Sequence, residues 1–135
     1  MICVILGCYT PMILRKSHDK CFTVIGPAYI QGLMDSEALL GPIQHPWLVQ
    51  QPEIDGVITP QYLNTEANIT SIDDPRLEPL APEWERVPRT RTTDDPVCFA
   101  NFRNKTTGEV INSDPRLLPA ALERRGVRLQ WFPLE

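Results

Sequence analysis

Fourteen prolines are spread through the 135 residues, about twice the ordinary share. Each one fixes its own φ, removes a backbone N–H and biases the preceding residue away from the helical region. Few windows are left in which a long helix could run. The chain is therefore expected to be mainly β with short helices, an α+β protein of strands, turns and loops.

Length allows one ordinary domain or two very small ones. With 13 basic against 17 acidic residues the net charge is −4, so there is no global field to draw nucleic acid or an anionic membrane. The densest basic stretch, Arg86, Arg89 and Arg91, is followed at once by Asp94 and Asp95, which marks a solvated loop rather than a phosphate site. Cys3, Cys8, Cys21 and Cys98 contain no CxxC, and His18 with Cys21 lacks a second pair at ligand spacing; neither a metal nor a cofactor is expected. The apolar start has no basic n-region and is interrupted by Gly7, Thr10 and Pro11, unlike a signal peptide. No run reaches the length of a membrane span. The expected location is intracellular, in the cytoplasm.

Residues 1–40 are expected to form a β-meander. Ile2–Leu6 is an apolar strand, Met12–Lys16 a second and Cys21–Ile25 a third, with turns at Gly7–Thr10 and Ser17–Lys20. Tyr29–Leu33 looks extended, and Asp35 is placed to cap a short helix through Leu40. A hydrophobic strand directly after Met1 has nothing before it to cover its other edge, so the meander is expected to begin inside a larger module. Residues 41–72, with Pro42, Pro46, Pro52 and Pro60 and no sustained period, read as a linker or wrapping segment pinned by Trp47. Residues 118–135 read as a helix from Pro119 to the stop at Gly126, then a closing strand on Val127, Leu129 and Trp131.

The tetrapeptide Asp-Pro-Arg-Leu occurs at Asp74–Leu77 and again at Asp114–Leu117. Asp-Pro favours a turn in both places. Their positions suggest the entry and exit of one module over residues 73–117 rather than two copies of a unit.

That module resembles a WW domain, the three-stranded sheet that opens with Pro-x-x-Trp and closes with a proline. Trp84 matches the first tryptophan, Phe102 the core aromatic of the middle strand, Asn104, Thr107 and Gly108 the hairpin, and Pro115 the terminal proline. The resemblance implies that Pro115 stacks on Trp84. The ligand-gripping tyrosine and second tryptophan are replaced by Asn101 and Asn112, which offer a proline ring no flat apolar face.

A wider resemblance is to the region that follows the HET domain in fungal heterokaryon-incompatibility proteins. Gly7, Pro11, Leu14, Arg15, Gly26, Tyr29, Gly32, Met34, Asp35, Glu37 and Ala38 carry it, together with the tail "DPRLLPAALERRGVRLQWFPLE". Pro27, Gln31 and Ser36 depart from the family's usual acidic residue, His and Gly. The HET domain itself is absent from this sequence. The resemblance implies a link to fungal nonself recognition and cell-death signalling.

Catalysis is not expected. A nucleophile needs a positioned base, and His18 and His45 sit in a polar turn and a Pro-flanked stretch where no pattern orients them. Asp35 and Glu37 could be paired carboxylates, but they more simply serve a helix N-terminus. The leading expectation is a non-catalytic fragment of a HET-type protein that packs against a HET-domain segment or another protein; the alternative is a WW-like module that binds Pro-rich or other peptides.

Overall fold

The computed structural model describes residues 1–3, 10–88 and 100–135. The described residues are mainly β with two short helices, and they divide into two compact units, one of residues 1–42 with 118–135 and one of residues 43–117.

The first unit is a three-stranded antiparallel meander of β1 (Ile2–Cys3), β2 (Met12–Lys16) and β3 (Phe22–Pro27). The Met1 ammonium donates to the Leu14 carbonyl at 2.9 Å. Alternation along β2 sends Leu14 inward, to 1% exposure, and leaves Ile13 and Arg15 outside. With Leu14, Pro11 and Leu122 are the largest fully buried side chains among the described residues. A register shift between Ile13 and Leu14 lets β3 continue through Gly26 to Pro27, where the sequence suggests a break. Tyr29–Leu33 is not extended but turns. α1 is the single turn Glu37–Leu40, and its cap position is Ser36 rather than Asp35; the Asp35 N–H instead donates to Glu37 Oε2 at 2.6 Å.

α2 spans Pro119–Arg124 with proline in its first turn, as the sequence predicts. The Gly126 N–H closes on the Glu123 carbonyl and the Val127 N–H on the Leu122 carbonyl. The expected closing strand on Val127, Leu129 and Trp131 does not form, and Trp131 is 92% exposed. The chain pairs later: Leu134 bridges Phe22 in parallel, and Phe132 meets Phe22 edge to face at 5.1 Å. The Phe22 N–H donates to the Pro133 carbonyl at 2.9 Å and the Glu135 N–H to the Phe22 carbonyl at 3.1 Å; Pro133 itself has no N–H to add to the ladder.

The second unit overturns the reading of residues 41–72 as a linker. β4 (Trp47–Gln50), β7 (Gln61–Asn64) and β8 (Ile69–Ser71) make a three-stranded antiparallel sheet in the order β4-β7-β8. Between β4 and β7 a small hairpin, β5 (Glu53–Ile54) and β6 (Val57–Ile58), turns at Asp55-Gly56 with positive φ at both residues; Asp-Gly is the dipeptide this turn favours. The four prolines fall at strand ends and connections, where no ladder donor is lost. β9 (Trp84–Val87), β10 (Asn101–Asn104) and β11 (Val110–Ile111) make the second sheet, order β11-β10-β9, at the place of the expected WW-like segment. The sequence also reads Val97–Phe102 as a strand; of this stretch Val97–Phe99 lie outside the described residues, and Asn101 and Phe102 are in β10.

Candidate functional site

The two sheets are copies of one design. Trp47 stands opposite Asn64 as Trp84 stands opposite Asn104, Val49 opposite Tyr62 as Arg86 opposite Phe102, and Leu63 opposite Thr70 as Arg103 opposite Val110. The same non-ladder bonds recur. Trp47 N–H reaches the Gln44 carbonyl and Trp84 N–H the Ala81 carbonyl, both at 3.0 Å; Thr65 N–H reaches Pro46 O at 2.9 Å and Lys105 N–H reaches Glu83 O at 2.7 Å. In each hairpin the asparagine side chain organises the turn: Asn64 Oδ1 accepts from the N–H groups of Glu66 and Ala67, and Asn104 Oδ1 from those of Thr106 and Thr107. The turn then needs positive φ, met by Asn68 at 51° and Gly108 at 75°.

Each copy ends in an Asp-Pro-Arg lock. Asp74 Oδ1 accepts from the N–H and Nε–H of Arg76, both at 2.9 Å, and Oδ2 from Nη2 at 2.6 Å. Asp114 Oδ1 accepts from the N–H and Nε–H of Arg116, both at 2.9 Å, and Oδ2 from Nη2 at 2.7 Å. The intervening proline fixes φ, so the turn brings the arginine two residues on back over its own carboxylate. A planar guanidinium is required for the two-pronged contact, which a lysine ammonium could not make. The two Asp-Pro-Arg-Leu stretches are thus repeats of one closing device, not the entry and exit of a single module.

The locks differ in their surroundings. In the first, the Tyr62 hydroxyl donates to Asp74 Oδ2 at 2.9 Å; the second has Phe102 at the equivalent place and no hydroxyl. Arg116 instead extends its Nη1 to the Glu78 carbonyl at 2.8 Å and its Nη2 to Asp73 Oδ1 at 3.1 Å. Asp73 also pairs with Arg86, whose guanidinium lies 5.2 Å from the centre of the Phe102 ring. Burial works against ionising Asp74, but the hydrogen bonds and charge of Arg76 outweigh it and hold the carboxyl below its ordinary range. For Asp73 partial burial is likewise outweighed by Arg116 and Arg86. Burial, then the Asp74 charge, push the Tyr62 phenol well above its usual value. The hydrogen bond to Asp114 leads in raising Arg116 against its own burial. A cleft of about 300 Å³ adjoins the first lock, lined by Trp47, Asp73, Pro75, Leu77, Pro79 and Arg116 among others.

The fold-keeping residues expected from sequence fall within the second sheet, its hairpin and its closing turn. Trp84 opens β9 half-buried, Phe102 is 5% exposed, Thr107 Oγ1 accepts the Glu109 N–H at 3.3 Å, and the Gly108 N–H reaches the Asn104 carbonyl at 2.7 Å. Pro115 forms the bend of the second lock. Asn101 pairs across to Val87, and Asn112 is exposed just beyond β11. The equivalents in the first copy, not foreseen, are Gln61 and Ile72, the latter 58% exposed. His18 is exposed in a 3-10 turn, and His45, also exposed, lies 3.8 Å from Glu66. Cys21 is half-buried, and Cys8 and Cys98 lie outside the described residues. Among the described residues no three His, Cys, Asp or Glu side chains group to hold a metal ion, and no helix is long and apolar enough to cross a membrane.

No family model matches the chain, and no curated protein or solved structure does.

Proposed function

We propose that the chain is a non-catalytic interaction segment of a HET-type protein, acting by packing against a protein partner. The carrying observation is how the outward face of the first sheet is composed. Leu48, Leu63 and Thr70 form one cross-strand row, with Gln50 and Gln61 as the next pair on that face. The row has no charged residue, and Leu48 is 53% exposed. Asp74 with Arg76, and Asp114 with Arg116, are meanwhile engaged with one another in the locks. An uncharged strand face with exposed leucine fits a protein contact better than a reaction centre. The resemblance to the region after the HET domain makes a HET-domain segment the first partner to try. Mixing the chain with such a segment at micromolar concentration is expected to give a complex and a raised Tm. No complex and an unchanged Tm would defeat the proposal, and Leu48→Glu is expected to abolish the shift without unfolding the chain.

A second reading is peptide binding by a WW-like sheet. Exposed Ile72, where the second copy has Asn112, favours the first sheet over the second for this role. A titration with proline-rich peptide followed by tryptophan fluorescence tests it, and a silent titration removes it.

A further inference from the structure

Overlaying the two copies on their shared register isolates the positions where each departs from the common design. The first copy has Val49 where the second has Arg86, since each stands opposite the aromatic of the middle strand. Before the lock, the first copy has Asp73 where the second has Ser113. Neither side chain belongs to the common ladder, which the other copy builds with a different residue. Yet these two departures meet each other: Asp73 pairs with Arg86.

We infer that Asp73 is a latch that couples the two sheets into one rigid pair. Its Oδ1 receives Arg86 from β9 and, at 3.1 Å, Nη2 of Arg116 from the second lock. Arg116 completes the connection by donating from Nη1 to the Glu78 carbonyl, in the segment that joins β8 to β9, at 2.8 Å. One carboxylate of the first copy thus holds two cations of the second. The aspartate is itself aimed: its N–H donates to Ser71 Oγ at 3.0 Å, and Ser71 Oγ donates to the Asp73 carbonyl at 3.1 Å. Arg86 is aimed by its seat on the Phe102 ring. Three charges linked in a network with fixed geometry constrain orientation in a way that isolated surface pairs do not. Without the latch the connecting segment is a tether, and sheets this small would reorient independently. With it, the uncharged outward face of the first sheet and the Glu85–Arg103 pair on that of the second hold a fixed mutual orientation, so a partner that touches both faces meets a preorganised surface.

Residual dipolar couplings on the full ¹⁵N-labelled chain test this without any partner. In the native chain one alignment tensor should fit the amides of both sheets. In Asp73→Ser, which installs the residue of the second copy, each sheet should keep its cross-strand contacts but require its own tensor. A single tensor for both sheets in that variant, or two tensors in the native chain, overturns the latch. Should Asp73→Ser unfold, Asp73→Leu decides, since it fills similar space with no acceptor for Arg86 or Arg116 and leaves both locks whole: separate tensors support the latch and a shared one overturns it. A local ion pair that only added stability would lower Tm and leave the tensor single. Failure here is distinct from failure to bind a HET segment, because the readout involves no ligand.

Discussion

The first and second sheets share a scaffold and differ in what surrounds it. Both keep a tryptophan opposite an asparagine, an aromatic on the middle strand and the Asp-Pro-Arg-Leu close. On the outward face the row Leu48–Leu63–Thr70 becomes Glu85–Arg103–Val110, with Arg103 Nε donating to Glu85 Oε1 at 2.7 Å. At the lock, the first copy is served from within by the Tyr62 hydroxyl and the second from outside by Glu78 and Asp73. The invariant positions are those that turn the backbone or close it, and the variable ones decide what each copy can touch. One backbone design thereby presents one uncharged and one ion-paired surface.

The largest test of that contrast is removal of the lock arginines. Arg116→Ala leaves the Asp114 carboxylate without its buried partner and also empties the contacts to Glu78 and Asp73; it should cost about 3–5 kcal/mol in urea unfolding. Arg76→Ala removes the two-pronged hold on Asp74 in its own turn and is expected to fall in the same range. A loss under about 1 kcal/mol for either variant would break the claim that the arginine closes its lock.

Tyr62→Phe comes next, since it gives the first copy the second copy's aromatic. Losing a hydrogen bond to a charged carboxylate should cost about 1.5–3 kcal/mol, and a neutral result would mean that the first lock closes as well without the hydroxyl as the second does. The hairpins differ more gently. Gly108→Ala, at φ 75° with open space around a Cβ, should cost about 1–2 kcal/mol from backbone strain alone, whereas Asn68→Gly should be within a few tenths of neutral.

The pH dependence is the most gradual effect. Folded Asp73 and Asp74 both ionise below their ordinary range. Their contribution is therefore complete above the unfolded aspartate value near about 3.9 and is lost as pH falls through the lower folded values. Tyr62 is shifted upward, so its contribution is complete below an unfolded value of about 10 and declines as pH rises beyond it. Tyr62→Phe should flatten the alkaline limb of a Tm–pH profile and leave an acid limb, and Asp73→Ser should weaken the acid limb. An unchanged alkaline limb in Tyr62→Phe would remove the first lock's distinctive feature.

Much of the second sheet was legible because its markers are local: Trp84, Asn104 with Gly108 four residues on, and Asp-Pro-Arg each act through the backbone beside them. The first sheet carries the same markers in weaker dress. Trp47, Asn64 and the first Asp-Pro-Arg-Leu sit at matching places, but Asn68 replaces glycine in the turn, and Pro46, Pro52 and Pro60 suggest a linker when counted as composition. Their effect depends on placement at strand ends, which composition does not encode. The Asp55-Gly56 turn was a further short-range signal that could have exposed this region as sheet. The Asp73–Arg86 contact joins residues in different copies, and no local rule pairs them. The closing strand failed for a different reason: the alternation of Val127, Leu129 and Trp131 fits a strand, but the chain finds its ladder partner only at Phe22, opposite Leu134.

The duplication is the central claim, and cross-strand NOEs on the full chain measure it most directly. The account predicts two parallel sets: Trp47 to Asn64 with Leu63 to Thr70, and Trp84 to Asn104 with Arg103 to Val110, together with slowly exchanging Nε protons on both Arg76 and Arg116. A set confined to residues 81–117, with residues 44–77 giving only sequential contacts and a fast-exchanging Arg76, would contradict it.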